Sequence, residues 1–345
     1  MNLDIALLLA QDGLTNGAIY ALLALALVLV FAVTRVIYIP QGEFVAYGAL
    51  TLASFQVGKT PGTVWLLLCA GALCAIVDAI ASVRSRTLHR IPRSIAWNLG
   101  YPAVVAGAAI LLEPGSLPLA VQIVLALALV VPLGPMIYRL AFQPVADASV
   151  LVLLIVAVAV HLAMVGLGLL FFGAEGSRTP PFSEGGVDVG TLRIGAQTLW
   201  VLAASAALIV GLYQFFERTI YGKALRATAI NRTGARLMGI APVLAGKLAF
   251  LLAAAIGAFS GMLIAPITTI YYDTGFLVGL KGFVGAIVGG LASYPLAAAG
   301  ALFVGLIEAF ASFWASGFKE VIVFTLIVPV LLWRSLTTTH HEEEE

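Results

Sequence analysis

The sequence predicts an all-α, polytopic membrane bundle of about ten to eleven spans. Three observations predict it. Of 345 residues, 61% are hydrophobic and 10% charged, with a mean hydropathy of +1.07. An average soluble domain is about 25% charged, so this chain has too little polar surface to cover a soluble core. The apolar stretches run continuously instead of alternating, which excludes a β-barrel. Lys and Arg also collect in alternate loops. The composition excludes an ordinary soluble enzyme and a disordered chain. A net charge of +1 leaves no field for a polyanion, so the partner it implies is a lipid bilayer and not nucleic acid.

A crossing helix needs roughly 20 apolar residues. Segments that meet or approach this run over 14–34, 43–57, 63–83, 95–113, 119–139, 149–172, 198–216, 242–267, 277–292, 295–316 and 319–334. Residues 3–11 offer a short helix before the first span. Segments 43–57 and 277–292 are short and Gly-rich, as broken or re-entrant helices are. The chain reads as one membrane domain over 1–335, with a solvated tail at 336–345 ending in HHEEEE. Asp4 and Asp12, with no basic residue nearby, are the wrong flank for a cleavable signal peptide. Cys69 and Cys74 share one apolar run and read as small fillers.

Basic residues set the orientation. With the N-terminus outside and the C-terminus cytoplasmic, the inner loops hold Arg35, Arg84, Arg86, Arg90, Arg93, Arg139, Arg218, Lys223, Arg226, Arg232, Arg236, Lys247 and Arg334. The outer loops hold Lys59, Arg178, Arg193 and Lys319. The loop 173–197 is Gly/Pro/Ser-rich and predicted periplasmic. The loop 217–241 is basic and predicted cytoplasmic. Within it, Ala224, Ala227 and Ala229 suit a helix over 223–231 that a partner's groove can approach closely. Gly234 reads as its break and Gly239 as a helix stop before the next span. A plain basic loop obeying the positive-inside rule is the competing reading.

Ionisable residues at bilayer depth cost roughly 2.5–3.5 kcal/mol on insertion scales. Glu308 lies deep in its span and reads equally as a pathway group or an interhelix anchor. Lys281 either snorkels outward or pairs with Glu308. Asp78 reads as structural, paired with a nearby Arg, and His161 as a hydrogen-bonded core histidine. Asn16 reads as a cap. Pro40-Gln41-Gly42-Glu43 can interrupt a helix, because Pro removes a donor and Gly tolerates unusual dihedrals. Freed backbone and Gln41 then either line a wet path or form an ordinary cytoplasmic turn. Gly257/Gly261 and Gly285/Gly289 have the spacing of close helix packing.

The loop Gly222-Lys-Ala-Leu-Arg-Ala-Thr-Ala, followed by Ala235-Arg-Leu-Met-Gly-Ile240, resembles that of ABC importer permeases for branched-chain amino acids, the LivH/LivM type. Ile37-Tyr-Ile-Pro-Gln-Gly-Glu43, Tyr138-Arg-Leu-Ala-Phe-Gln-Pro144 and the stretch from Gly279 to Pro295 are similar to further motifs of that family, as is Gly305-Leu-Ile-Glu308. Tyr38 and Pro40 depart from the pattern, as do Ile230 or Asn231 at an acidic position and Ala292 and Leu296 at expected glycines. Residues 63–113 look like an added pair of spans. The resemblance implies a coupling surface of Gly222, Lys223, Arg226, Ala227, Ala229, Asn231, Arg232 and Gly239. It implies a translocation pathway near Gln41, Gly42, Glu43, Lys281 and Glu308.

The implied partners are cytoplasmic ATPase subunits, a second permease subunit and a periplasmic substrate-binding protein, in a bacterial inner membrane. The chain shows no phosphate-binding loop and no catalytic triad, so no enzymatic activity, metal or cofactor is expected in it, ATP being bound by the partners. The implied cargo is a branched-chain amino acid or a related amide or urea-like solute. An ion-coupled secondary transporter using Glu308, Asp78 and His161 is the alternative, and a membrane-embedded enzyme ranks last.

Overall fold

The computed structural model describes residues 3–86, 91–190, 192–291 and 293–337. Arg90, Ala292 and the tail from 338 onward lie outside the described residues. A helix stands in every predicted apolar segment. Among the described residues, seven are long and apolar enough to cross a membrane: α1 (Leu3–Thr34), α3 (Thr63–Arg84), α5 (Leu119–Val145), α6 (Val150–Phe172), α7 (Ala196–Arg218), α10 (Pro242–Ile264) and α12 (Tyr294–Trp314). The other four are short or interrupted: α2 (Glu43–Gln56), α4 (residues 91–111), α11 (Thr274–Val288) and α13 (residues 319–337). Two small helices, α8 (Ile220–Ile230) and α9 (Arg232–Leu237), occupy the basic loop.

α1 is the axis of the bundle. Every residue from Gly17 to Val30 is buried, as befits a helix that is apolar all round. Residues 3–11 continue the same helix instead of forming a separate one. Asn16 therefore lies inside α1 and is not a cap. Along its length α1 packs on α12, α11 and α10. By contrast α6 and α7 leave large apolar side chains exposed, such as Leu151, Ile155, Leu162 and Val210, which is a lipid-facing pattern.

The predicted break at Pro40 is present and buried. After α1 the chain runs without regular structure to a single 3-10 turn, Ile39–Gly42, and α2 starts at Glu43. An ordinary surface turn is thereby excluded, because Pro40, Gln41 and Gly42 are all buried. Irregular backbone at membrane depth is tolerated only where it is buried in protein or lines a water-filled cavity. Here α10 and α11 supply the cover: Gln41 Nε2 donates to the Ala253 carbonyl at 2.9 Å. Gly42 and Gly275 meet backbone to backbone, so a Cβ on either would overlap the other's carbonyl. Gly42→Ala is expected to cost about 1–3 kcal/mol, the usual range for overpacking. Gly211→Ala, whose Cβ meets open space, is its neutral control. Equal melting temperatures for the two in detergent would show that the contact is not a tight one.

The close-packing glycines act within the chain. Gly257 lies against Gln41 and Phe44, Gly261 against Val45, Gly285 against Ala301 and Gly289 against Ala297. α11 therefore carries small residues on several faces and is wedged between the 3-10 turn and α12.

The Gly/Pro/Ser-rich loop holds an element the sequence reading did not anticipate. β1 (Gly186–Val189) and β2 (Leu192–Gly195) form an antiparallel hairpin, with Val187 opposite Ile194. Its flanks are tied to the end of α10. Gln197 Nε2 donates to the Leu263 carbonyl at 2.8 Å, and Arg178 Nε to the Pro266 carbonyl at 3.0 Å. At the opposite end of α10 lies α8–α9, beside the C-terminal part of α5: Arg232 Nη1 donates to the Ala146 carbonyl at 3.2 Å.

Candidate functional site

Three polar constellations stand among the membrane helices. The first surrounds α11 and α12. Lys281 Nζ donates to Glu308 Oε1 at 2.6 Å and to Glu320 Oε1 at 3.1 Å. Tyr20 Oη donates to the second Glu308 oxygen at 2.6 Å. Lys281 and Glu308 are both buried, while Glu320 is partly exposed. Lys281 therefore pairs and does not snorkel. One ammonium and one phenol satisfy both oxygens of a buried carboxylate, which is what makes such a pair tolerable.

The second lies at the broken helix, on another face of α11. Glu43, at the N-terminus of α2, is completely buried. Helix-terminal amides favour a negative charge there. His161 Nδ1 approaches Glu43 Oε1 at 3.0 Å, off the line of an N–H donor. The imidazole stacks on Phe276, with centroids 4.5 Å apart. His161 is a core histidine, as its apolar helix suggests, but its partner is a carboxylate 118 positions away. Gln41, Gly42 and Glu43 are all buried. A cavity of about 230 Å³ lies beside them, bounded by Tyr38, Gly279 and Phe283.

The third is Asp78, held by Arg139 Nε at 2.6 Å, Ser94 Oγ at 2.8 Å and Asn98 Nδ2 at 3.1 Å. It is paired with an arginine as the sequence suggests.

The predicted coupling residues split by role. Thr219 caps α8, its Oγ1 accepting from the Gly222 amide at 2.9 Å. Gly222 is buried against Phe215 and Phe216, so it packs α8 onto α7 and presents nothing outward. Arg226 pairs with Glu217 at 2.5 Å and Arg232 reaches Ala146 and Asp147. Arg226 thus ties α8 to the end of α7, and Arg232 ties α9 to the end of α5. Ala227 and Ala229 are half-buried, whereas Lys223 is exposed. The helix breaks at Asn231 and not at Gly234: the Asn231 Oδ1 accepts from the Gly234 amide at 2.7 Å and starts α9. An Asn that satisfies an orphan helix amide outcompetes a mid-helix Gly as a breaker. Gly239 has φ +82° and closes α9 as predicted. The sequence reading missed the outward groups: Ile230, Leu237 and Met238 are each more than four-fifths exposed.

A family model described as "Branched-chain amino acid transport system / permease component" matches residues 93–331. That span is more than half of the chain. The chain belongs to this permease family. The permease is 26% identical over 335 residues to the "High-affinity branched-chain amino acid transport system permease protein LivH" of Escherichia coli K12, covering 93% of this chain and 91% of that protein. It is 29% identical over 208 residues to the permease protein BraD of Pseudomonas aeruginosa, covering 58% of this chain and 68% of that one. A probable branched-chain amino acid permease, LivH of Methanocaldococcus jannaschii, is 27% identical over 190 residues, covering 53% and 60%. With seven apolar helices of crossing length, the permease is a multi-pass membrane protein.

Proposed function

We propose that this permease is the membrane subunit of an ABC importer for branched-chain amino acids or a related small polar solute. In this reading two cytoplasmic ATPase subunits drive it, a second permease subunit completes the pathway and a periplasmic binding protein delivers the cargo. The N-terminus is outside, and the end bearing α8–α9, with the C-terminus, faces the cytoplasm of a bacterial cell. Residues 63–113 are an added pair of spans.

The observation that carries the reading is the build of α8–α9. Two short helices are capped by Thr219 and Asn231 and braced by Arg226–Glu217 and Arg232–Ala146. A braced unit transmits displacement to α7 and α10, where a floppy loop would absorb it. Ile230, Leu237 and Met238 project from it as apolar anchors of the kind that fill a partner's groove. ATP-driven motion of the partner then rocks the spans between outward-open and inward-open states.

The cargo chemistry fits the broken helix. A zwitterion brings an ammonium, and Glu43 is a buried carboxylate without an in-line hydrogen bond. Separation of the 3-10 turn from α11 would open this group to a passing solute.

Ile230→Asp with Met238→Asp is expected to weaken capture of the co-expressed ATPase by roughly thirtyfold, a hot-spot effect of about 2 kcal/mol, and to stop uptake. Co-purification and vesicle uptake read this. Full ATPase retention with normal uptake would refute the docking assignment. Uptake that requires the ATPase and survives an uncoupler supports the ABC reading. Uptake without any ATPase, collapsing with the ion gradient, would instead establish the secondary transporter.

A further inference from the structure

The Asp78 cluster takes no part in the proposed transport route, and its chemistry is unbalanced. Asp78 faces two cations, Arg139 and Lys247, across the same cavities. Arg139 engages Asp78 through Nε. Among the described residues, Lys247 has no hydrogen bond or ion pair of its own. The cluster carries one positive charge in excess, within helices of crossing length.

Two cavities meet at these three side chains. One, of about 600 Å³, is otherwise walled by groups such as Trp97, Leu127, Val131 and Leu251. The other, of about 360 Å³, is lined by Ser82, Ser85 and Ser94. An apolar chamber and a hydroxyl-lined chamber joined at a net cation have the layout of an amphiphile. The helices themselves make the room. Asn98 and Arg139 both sit in π-helical turns, Ala96–Gly100 and Tyr138–Phe142, which widen α4 and α5 at this level. The surrounding surface of α3 and α4 exposes Ile76, Ile80, Ile95 and Trp97, so the cleft is reached from the bilayer.

We propose that the cleft between α3, α4, α5 and α10 binds an anionic glycerophospholipid. The phosphodiester neutralises Lys247 and Arg139, the glycerol or headgroup hydroxyls meet the serines, and an acyl chain fills the apolar chamber. Basic pockets between membrane helices recognise anionic lipids by the same pairing of charge and apolar wall.

Tryptophan quenching by brominated lipid tests it on the whole permease in detergent with phosphatidylcholine. Brominated phosphatidylglycerol is expected to quench a saturable component that is lost in Trp97→Phe. Lys247→Gln should weaken that component roughly fivefold, and Lys247→Arg should restore it. Equal quenching by brominated phosphatidylcholine would mean annular lipid only and overturn the proposal. So would an unchanged affinity in Lys247→Gln or a quench that survives Trp97→Phe. Competition by excess inorganic phosphate, instead of by unbrominated phosphatidylglycerol, would mark a free-anion site and overturn the lipid assignment.

Discussion

Lys281→Met is expected to destabilise the permease by about 3–5 kcal/mol, because it strips the cation from a buried carboxylate. Glu308 is buried and has Lys281 and Tyr20 as its partners. With the ammonium gone, only the phenol would remain beside it. Glu320 suffers less, since it is about a third exposed and can be solvated. The double variant K281M/E308Q removes the orphaned charge together with its partner. It should be more stable than K281M alone, with a coupling of about 2–3 kcal/mol between the two sites. Unfolding of the parent, K281M, E308Q and the double variant in mixed detergent micelles measures the coupling. If K281M melts like the parent, or if the two losses simply add, the pair does not hold α11 against α12.

This ion pair was half legible in the sequence. Two ionisable residues in apolar runs demand a reason, and pairing of Lys281 with Glu308 stood beside outward snorkelling as one of two readings. Tyr20 was not legible, because a tyrosine in a membrane helix carries no signal of what it bonds to 288 positions away. The spans were legible because a bilayer imposes length and apolarity on each segment separately. The break at Pro40 was legible because it is a local backbone effect. Gly234 reads as the break because glycine is the weaker helix former, whereas the Asn231 side chain caps the following amide and breaks the helix there. The hairpin was hidden by the composition of its loop. Its signal was present, though: Val187 and Val189 on one side and Leu192 and Ile194 on the other alternate about Gly190, which has φ +64°. The outward position of Ile230, Leu237 and Met238 depends on how α8 and α9 fold back, which no spacing states.

Both carboxylate sites touch the same element. Phe276 stacks on the His161 ring beside Glu43, while Lys281 holds Glu308 and Glu320. Between them, Gly275 and Gly279 let α11 touch the 3-10 turn directly. A short helix with glycine faces, one ionic latch at Lys281 and one ring stack at Phe276 can change neighbours without unpacking a large apolar surface. That is the property a moving part needs inside a close-packed bundle.

Glu43→Gln separates what the second latch does from what it stabilises. Glutamine keeps the shape of the side chain and removes its ionisable group, which is fully buried. Neither Glu43 oxygen has an in-line hydrogen bond to lose, so the variant should melt near the parent temperature. Uptake of leucine is nonetheless expected to fall roughly tenfold, equivalent to about 1.4 kcal/mol lost from the step in which the cargo ammonium meets the carboxylate. Uptake of an uncharged amide of similar size should change little, because it has no ammonium to lose a partner. A stable Glu43→Gln permease that still carries leucine at the parent rate would remove Glu43 from the pathway. Equal loss for both solutes would make the carboxylate a part of the moving latch and not of cargo recognition.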